Sequence, residues 1–186
     1  LEFRYREKFV RGEIIVEGAV SKDELIPEET RGYLFAGGQF DLNRDFRLRF
    51  DIEEVSDDAY LSDYGYSYRD RLDSQIELSR ARRDEFIRLS LITVESLRDD
   101  ENDDVLPSNI AEALYERRFF PRALGGELRF MAEAHGHQRS SPIDFDEDGD
   151  GVVDGRDVLR LDVEAEWLRT LQVGGVPAQT RFGVVG

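Results

Sequence analysis

Cysteine is absent from the 186 residues. Disulfides and thiolate metal sites are therefore excluded, and the redox compartment leaves no mark. Tryptophan and methionine occur once each and histidine twice, so little material exists for a histidine-based metal centre. No stretch approaches the roughly 20 apolar residues that a membrane-spanning helix needs. At 35% charged and 40% hydrophobic residues, the chain is too polar for helical spans. A barrel wall is not excluded, because only alternate residues of its strands meet lipid and average hydropathy stays low. Basic residues are outnumbered 25 to 41 and the net charge is −16. That balance argues against nucleic acid, whose phosphates are held by clustered Lys and Arg. The chain opens on Leu1 and stops at Gly186 inside a strand-like stretch, as expected of a piece of a longer polypeptide; no signal peptide is expected in such a piece.

What is present is alternation. Phe46, Leu48, Phe50 and Ile52 interleave with Arg47, Arg49, Asp51 and Glu53, the period-2 mark of a strand with one apolar face. The same pattern sets Leu72, Ser74, Ile76 and Leu78 against Asp73, Gln75, Glu77 and Ser79. It sets Leu128, Phe130, Ala132 and Ala134 against Glu127, Arg129, Glu133 and His135. A fourth window sets Leu159, Leu161, Val163, Ala165 and Trp167 against Arg160, Asp162, Glu164 and Glu166. Leu159, Val163 and Trp167 also fit a helix stripe, but every intervening even position is charged, which favours a strand. Weaker strands are expected near 12–20, 32–41, 84–97, 110–120 and 176–186. Ala111-Glu112-Ala113-Leu114 leaves a helical turn open in the fourth of these.

The connections alternate in length. Short ones fall near 42–45, 81–84, 121–125 and 172–176, and long polar ones near 21–31, 56–71, 98–109 and 138–157. Outer-membrane barrels sort their loops in this way, with tight periplasmic turns and extended outer loops. The expected fold is therefore all-β: an antiparallel transmembrane β-barrel segment of about nine or ten strands, or an open curved sheet where the segment stands alone. Residues 1–186 are taken as part of one outer-membrane barrel domain with an insertion at 144–157. A row of charges cannot meet lipid, where Arg or Lys at mid-depth costs about 2–4 kcal/mol. Arg47, Arg49, Asp51, Glu77, Glu127, Arg129 and Glu164 are thus expected to face the lumen. Phe46, Leu48, Phe50, Ile76, Phe130, Val163 and Trp167 are expected to face lipid. Tyr60, Tyr64, Tyr66 and Tyr68 beside one long loop, and Phe119 and Phe120 beside one short turn, fit interfacial girdles, although loop tyrosines occur in any protein. The competing fold is a secreted, calcium-stabilised β-sandwich serving binding or adhesion, whose apolar faces would cover one another. Windows such as 44–55 and 126–137 reach the roughly 9–11 residues of a spanning strand.

Val55-Ser56-Asp57-Asp58-Ala59-Tyr60-Leu61-Ser62-Asp63-Tyr64-Gly65 follows a strand ending Phe50-Asp51-Ile52-Glu53-Glu54. This run resembles the barrel domain of the LptD family, the lipopolysaccharide-assembly proteins also called OstA or Imp. The turn Gly38-Gln39-Phe40-Asp41-Leu42-Asn43-Arg44-Asp45 and the entry Asp70-Arg71-Leu72-Asp73-Ser74 are similar too, especially to α-proteobacterial members. The resemblance covers roughly 12–186. It implies a large barrel in the outer membrane of a Gram-negative cell, filled by an LptE-like plug lipoprotein and fed by a periplasmic Lpt bridge. It implies transport of lipopolysaccharide into the outer leaflet. The family's gate lies between its first and last barrel strands, and no residue here is assigned to it.

The sharpest chemical motif is Asp146-Glu147-Asp148-Gly149-Asp150-Gly151-Val152-Val153-Asp154-Gly155-Arg156-Asp157. Asp146, Asp148, Asp150, Asp154 and Asp157 occupy positions 1, 3, 5, 9 and 12 of a calcium loop, Gly151 the sixth, and Val152 would offer its carbonyl. A structural Ca²⁺ is expected here; the bland alternative is an acidic, self-repelling loop. Asp157 replaces the usual Glu, as in the loops of dockerin modules, and no flanking helix is evident. His135 and His137 share a strand face, but two ligands make a poor site. The run Arg80, Arg82, Arg83 reads as a solvated turn. No nucleophile elbow, phosphate loop or zinc-protease motif occurs, so the expected work is transport, not bond chemistry.

Overall fold

Alternation fixes the side each residue takes once a strand pairs, because directly opposed residues of an antiparallel ladder share a face. A computed structural model describes residues 1–22, 30–98, 101, 108–139, 151, 157–174 and 176–186. It forms one ten-stranded antiparallel sheet in which every strand pairs with its neighbours in sequence. The strands are β1 (Glu2–Phe9), β2 (Gly12–Ser21), β3 (Arg31–Asp41), β4 (Phe46–Val55), β5 (Arg71–Arg82), β6 (Glu85–Ser96), β7 (Asn109–Phe119), β8 (Glu127–Gln138), β9 (Val158–Val173) and β10 (Val176–Val185). A 3₁₀ turn, Asn43–Asp45, precedes β4, and one short helix, α1 (Tyr60–Asp63), lies in the β4–β5 connection. The sheet is open: β1 and β10 are its two edges.

The strands run 8 to 16 residues, against about 5–6 in ordinary soluble sheets. Strand β1 lies outside the expected set, since Glu7 interrupts its apolar row of Phe3, Tyr5 and Phe9. Residues 109–119 form a strand, not a helical turn, and 158–173 form one long strand rather than an amphipathic helix. In both cases hydrogen-bonded neighbours on either side satisfy the backbone, and that ladder outweighs the local helical spacing.

Among the described residues the buried apolar side chains are only Ala19, Tyr60, Leu61 and Leu72. No second layer covers the apolar face there, so the two-layered sandwich is not the fold. Leu91, Leu161 and Leu159 stand 60%, 65% and 83% exposed on that face. A contiguous greasy surface of this extent marks contact with a partner or a membrane.

The turn before β4 is tight. Arg44 and Asp45 take φ values of 60° and 67°, the left-handed region that costs a non-glycine residue about 1–2 kcal/mol. Neighbouring turns brace it. Arg82 Nε donates to Asp45 Oδ2 at 2.8 Å and Arg82 Nη2 to the Arg44 carbonyl at 3.0 Å. Arg11 Nη1 donates to Asn43 Oδ1 at 2.8 Å.

Candidate functional site

The register sorts the side chains into two faces across the whole sheet. On β4 and β5, Arg49 lies opposite Glu77 and Asp51 opposite Gln75, while Leu48 lies opposite Leu78 and Phe50 opposite Ile76. Following the ladder through β6 and β7 to β8 and β9 puts Glu127, Arg129 and Glu164 on the face of Arg49. The same walk puts Phe130, Val163 and Trp167 on the face of Phe50. The ladder also puts Arg47 on the face of Arg49 and Phe46 on the face of Phe50.

Opposite charges meet across strands on the polar face: Arg6 with Glu13 at 3.0 Å, Arg47 with Asp41 at 2.9 Å, Arg88 with Glu112 at 3.9 Å. Exposed pairs of this kind contribute about 0–1 kcal/mol each. Their value lies in matching register rather than in stability. A hollow of about 500 Å³ opens near the turn end, lined among others by Glu116, Arg118, Arg129, Met131, Glu164 and Glu166. His135 and His137 lie on this polar face with ring centroids 5.9 Å apart, and His135 Nδ1 is 3.7 Å from Glu112 Oε1. No group of three metal-ligating side chains occurs among the described residues.

Among the described residues the β4–β5 connection holds the buried apolar cluster, and here the sequence reading needs correction. Tyr60 is not a girdle residue: it is fully buried, with Leu61 and Leu72, against Tyr33, Phe35, Val55 and Leu97. Arg31, 2% exposed, sits at the start of β3 and holds the connection. Its Nε and Nη2 donate to the two carboxylate oxygens of Asp57 at 2.9 and 2.7 Å, and Nη2 also to Asp63 at 2.8 Å. The guanidinium lies 5.4 Å from the Tyr60 ring centroid and 5.9 Å from that of Tyr64. Ser56 Oγ accepts from the Gly32 amide at 2.9 Å, and Ser21 Oγ donates to Tyr60 Oη at 3.2 Å. The segment folds toward the polar face: Arg69 pairs with Glu53 at 2.5 Å and lies 5.3 Å from the Phe35 ring. Hydrogen bonds from Arg31 hold the Asp57 carboxyl below its usual range, against the opposing effect of burial. The signal in the sequence was the pair of acids bracketing Tyr60-Leu61; their common cation, on another strand, carried no local mark.

The arginines of the β5–β6 turn also differ from a plain solvated run. Arg80, 15% exposed, pairs with Glu85, itself 8% exposed, and lies 4.5 Å from the Phe46 ring centroid. Arg117 reaches the same carboxylate at 2.5 Å and lies 5.4 Å from the Phe119 ring. All three charged groups occupy the apolar face.

Of the expected calcium ligands, Asp146, Asp148, Asp150, Val152 and Asp154 lie outside the described residues. Asp157 Oδ1 accepts from the Arg139 amide at 3.1 Å. Gly151 has φ +88°, a conformation that favours glycine.

No curated protein matches the chain. The family model described as "LptD: LPS transport system D" matches residues 29–185. That match spans both faces, the Arg31 clamp and eight of the ten strands, β3 to β10, and the chain belongs to the LptD family.

Proposed function

We propose that this sheet is a stretch of the barrel wall that carries lipopolysaccharide to the outer membrane and sets it into the outer leaflet. The family is one of lipopolysaccharide transport. The observation that supports the finer reading is the two-faced register. One face is apolar, uncovered and wide; the other is a field of paired charges. A sheet built this way separates lipid from a wet interior. Arg47, Arg49, Asp51, Glu77, Glu127, Arg129 and Glu164 then line the lumen, and Phe46, Leu48, Phe50, Ile76, Phe130, Val163 and Trp167 meet lipid. The edges β1 and β10 continue into the rest of a closed barrel, since open edges in lipid leave backbone groups unpaired. The polar lining suits an LptE-like plug lipoprotein and the sugar portion of lipopolysaccharide arriving from a periplasmic bridge.

Photo-crosslinking in cells tests this. A photoreactive side chain placed at Glu77 or Arg129 of the full-length protein should capture plug lipoprotein or lipopolysaccharide. The same group at Ile76 or Phe130 should not capture plug. Equal capture from both faces overturns the reading.

We also propose a structural calcium site in the acidic insertion, supported by the oxygen-ligand spacing and by the left-handed Gly151 at the sixth position.

A further inference from the structure

We propose that the apolar face carries, at its turn end, an arginine–aromatic belt that docks on the phosphate headgroups of anionic phospholipids, with Arg80 and Arg117 as the contacting cations. The proposal rests on the barrel reading above. Four observations lead to it.

The charge of the chain is polarised along the strands. Segments 6–15, 38–49, 79–88, 115–130 and 167–181, which surround the five short turns, hold 16 of the 25 basic residues and 8 of the 41 acidic ones. A chain of net charge −16 is thus basic at one end only. Charges that stray onto the apolar face also keep to its ends. Glu54 and Glu95 lie near the long loops; Glu7, Arg80, Arg82, Glu85, Arg117 and Arg169 lie near the short turns.

Large aromatic rings gather in the same band. Phe40 lies 5.7 Å from Phe9, and Trp167 stacks on Phe182 at 6.0 Å, all on the apolar face. Trp167 Nε1 donates to the Gly125 carbonyl at 2.9 Å, so its polar edge points to the turn while its ring stays among apolar groups. Rings with one apolar side and one polar tip collect where acyl chains give way to headgroups.

The arginines are built into this band rather than waving free. Each guanidinium is set close to a ring, Arg80 with Phe46 and Arg117 with Phe119. The carboxylate of Glu85 ties the two together, fixing their position and leaving the cluster one positive charge in excess. A guanidinium presents a planar fork of donors suited to phosphate oxygens. One basic group near an anionic membrane surface favours association about fivefold.

The experiment uses the full-length protein purified from outer membranes and reconstituted into zwitterionic phosphatidylcholine bilayers. Spin-labelled phosphatidylglycerol and spin-labelled phosphatidylcholine are compared for the motionally restricted lipid at the protein surface. At low salt the wild type should favour phosphatidylglycerol about fivefold, and the preference should fall as salt rises. R80Q/R117Q should bring the two lipids to parity, whereas R80K/R117K should keep most of the preference. E85Q releases both guanidiniums and should raise the preference, a change of sign that a merely structural role would not produce. Inorganic phosphate replacing chloride at matched ionic strength should leave the preference in place; its loss would show a free-anion site and overturn the lipid assignment. Parity in the wild type, with restricted lipid present, overturns this proposal and leaves the barrel standing. Absence of any restricted lipid overturns both.

Discussion

Arg31 and Asp57, 26 residues apart in sequence, meet through two hydrogen bonds of 2.9 and 2.7 Å while Arg31 keeps only 2% of its surface exposed. The pair joins the start of β3 to the segment after β4 and turns a polar connection into a packed cap on the sheet. Removing one partner of a buried ion pair strands the other, at a cost of about 3 kcal/mol where the carboxylates still reach water. Arg31→Met should therefore expose 56–70 to limited proteolysis of the full-length protein while the strands stay protected. Tyr60→Phe loses only the hydroxyl contact with Ser21 and should cost about 1 kcal/mol. Equal protection of the segment in wild type and Arg31→Met would show that the clamp contributes nothing.

The same pair sets a pH dependence. Arg31 holds the Asp57 carboxyl below its usual range, and Arg98 does so for Asp70. The folded pKa is depressed, so the stabilisation is complete above the unfolded carboxylate value of about 3.9 and is lost as pH falls through the folded value. Cleavage within 56–70 should stay constant from neutral pH down to about pH 4 and rise below it. Asp57→Asn should flatten that rise. A transition near pH 6 instead would point to a histidine and contradict this assignment.

How much of this was visible in the residues differs from element to element. Strands such as Phe46–Val55 and Glu127–Gln138 were legible because alternation is written into every second residue whatever the strand pairs with. Faces were legible for the same reason. Strand β1 was not, since Glu7 breaks its apolar row. The clamp was not, because Arg31 and Asp57 become partners only when β3 and β4 pair. Tyr60 misled for a related reason: loop tyrosines look alike in sequence whether they reach an interface or fold back on Leu61 and Leu72. Arg80 misled because its place on the apolar face follows from register, not from composition.

Calcium makes a separate prediction. With the ion bound, the carboxylates of Asp146, Asp148, Asp150, Asp154 and Asp157 converge instead of repelling. Calcium at about millimolar levels, the range of weak extracellular sites, should slow proteolysis between Asp144 and Asp157. Asp148→Ala with Asp150→Ala should abolish that protection and leave the 56–70 segment unaffected. Protection that persists in the double variant would remove the metal assignment.

Ile76 and Glu77 give the most direct test of the two faces, because they are adjacent in β5 and point to opposite sides. Ile76 lies opposite Phe50 and Leu91, and Glu77 lies opposite Arg49 and Ser90. In a barrel wall, Ile76→Lys puts a charge into hydrocarbon at a cost of about 2–4 kcal/mol. Glu77→Lys places its charge in a wet interior, beside Arg49, and like charges directly opposite cost up to about 1 kcal/mol. Folded barrel in outer-membrane fractions, measured by protease-resistant protein at equal expression, should drop sharply for Ile76→Lys and little for Glu77→Lys. In a soluble sheet with Ile76 packed into a core, both the first variant and Ile76→Ala would be severe, since the alanine opens a cavity. In lipid, acyl chains fill that space and Ile76→Ala should be mild. The combination of a harsh lysine and a mild alanine at one position therefore separates a membrane-facing residue from a core residue, and a harsh result for both would mean that something other than lipid covers this face.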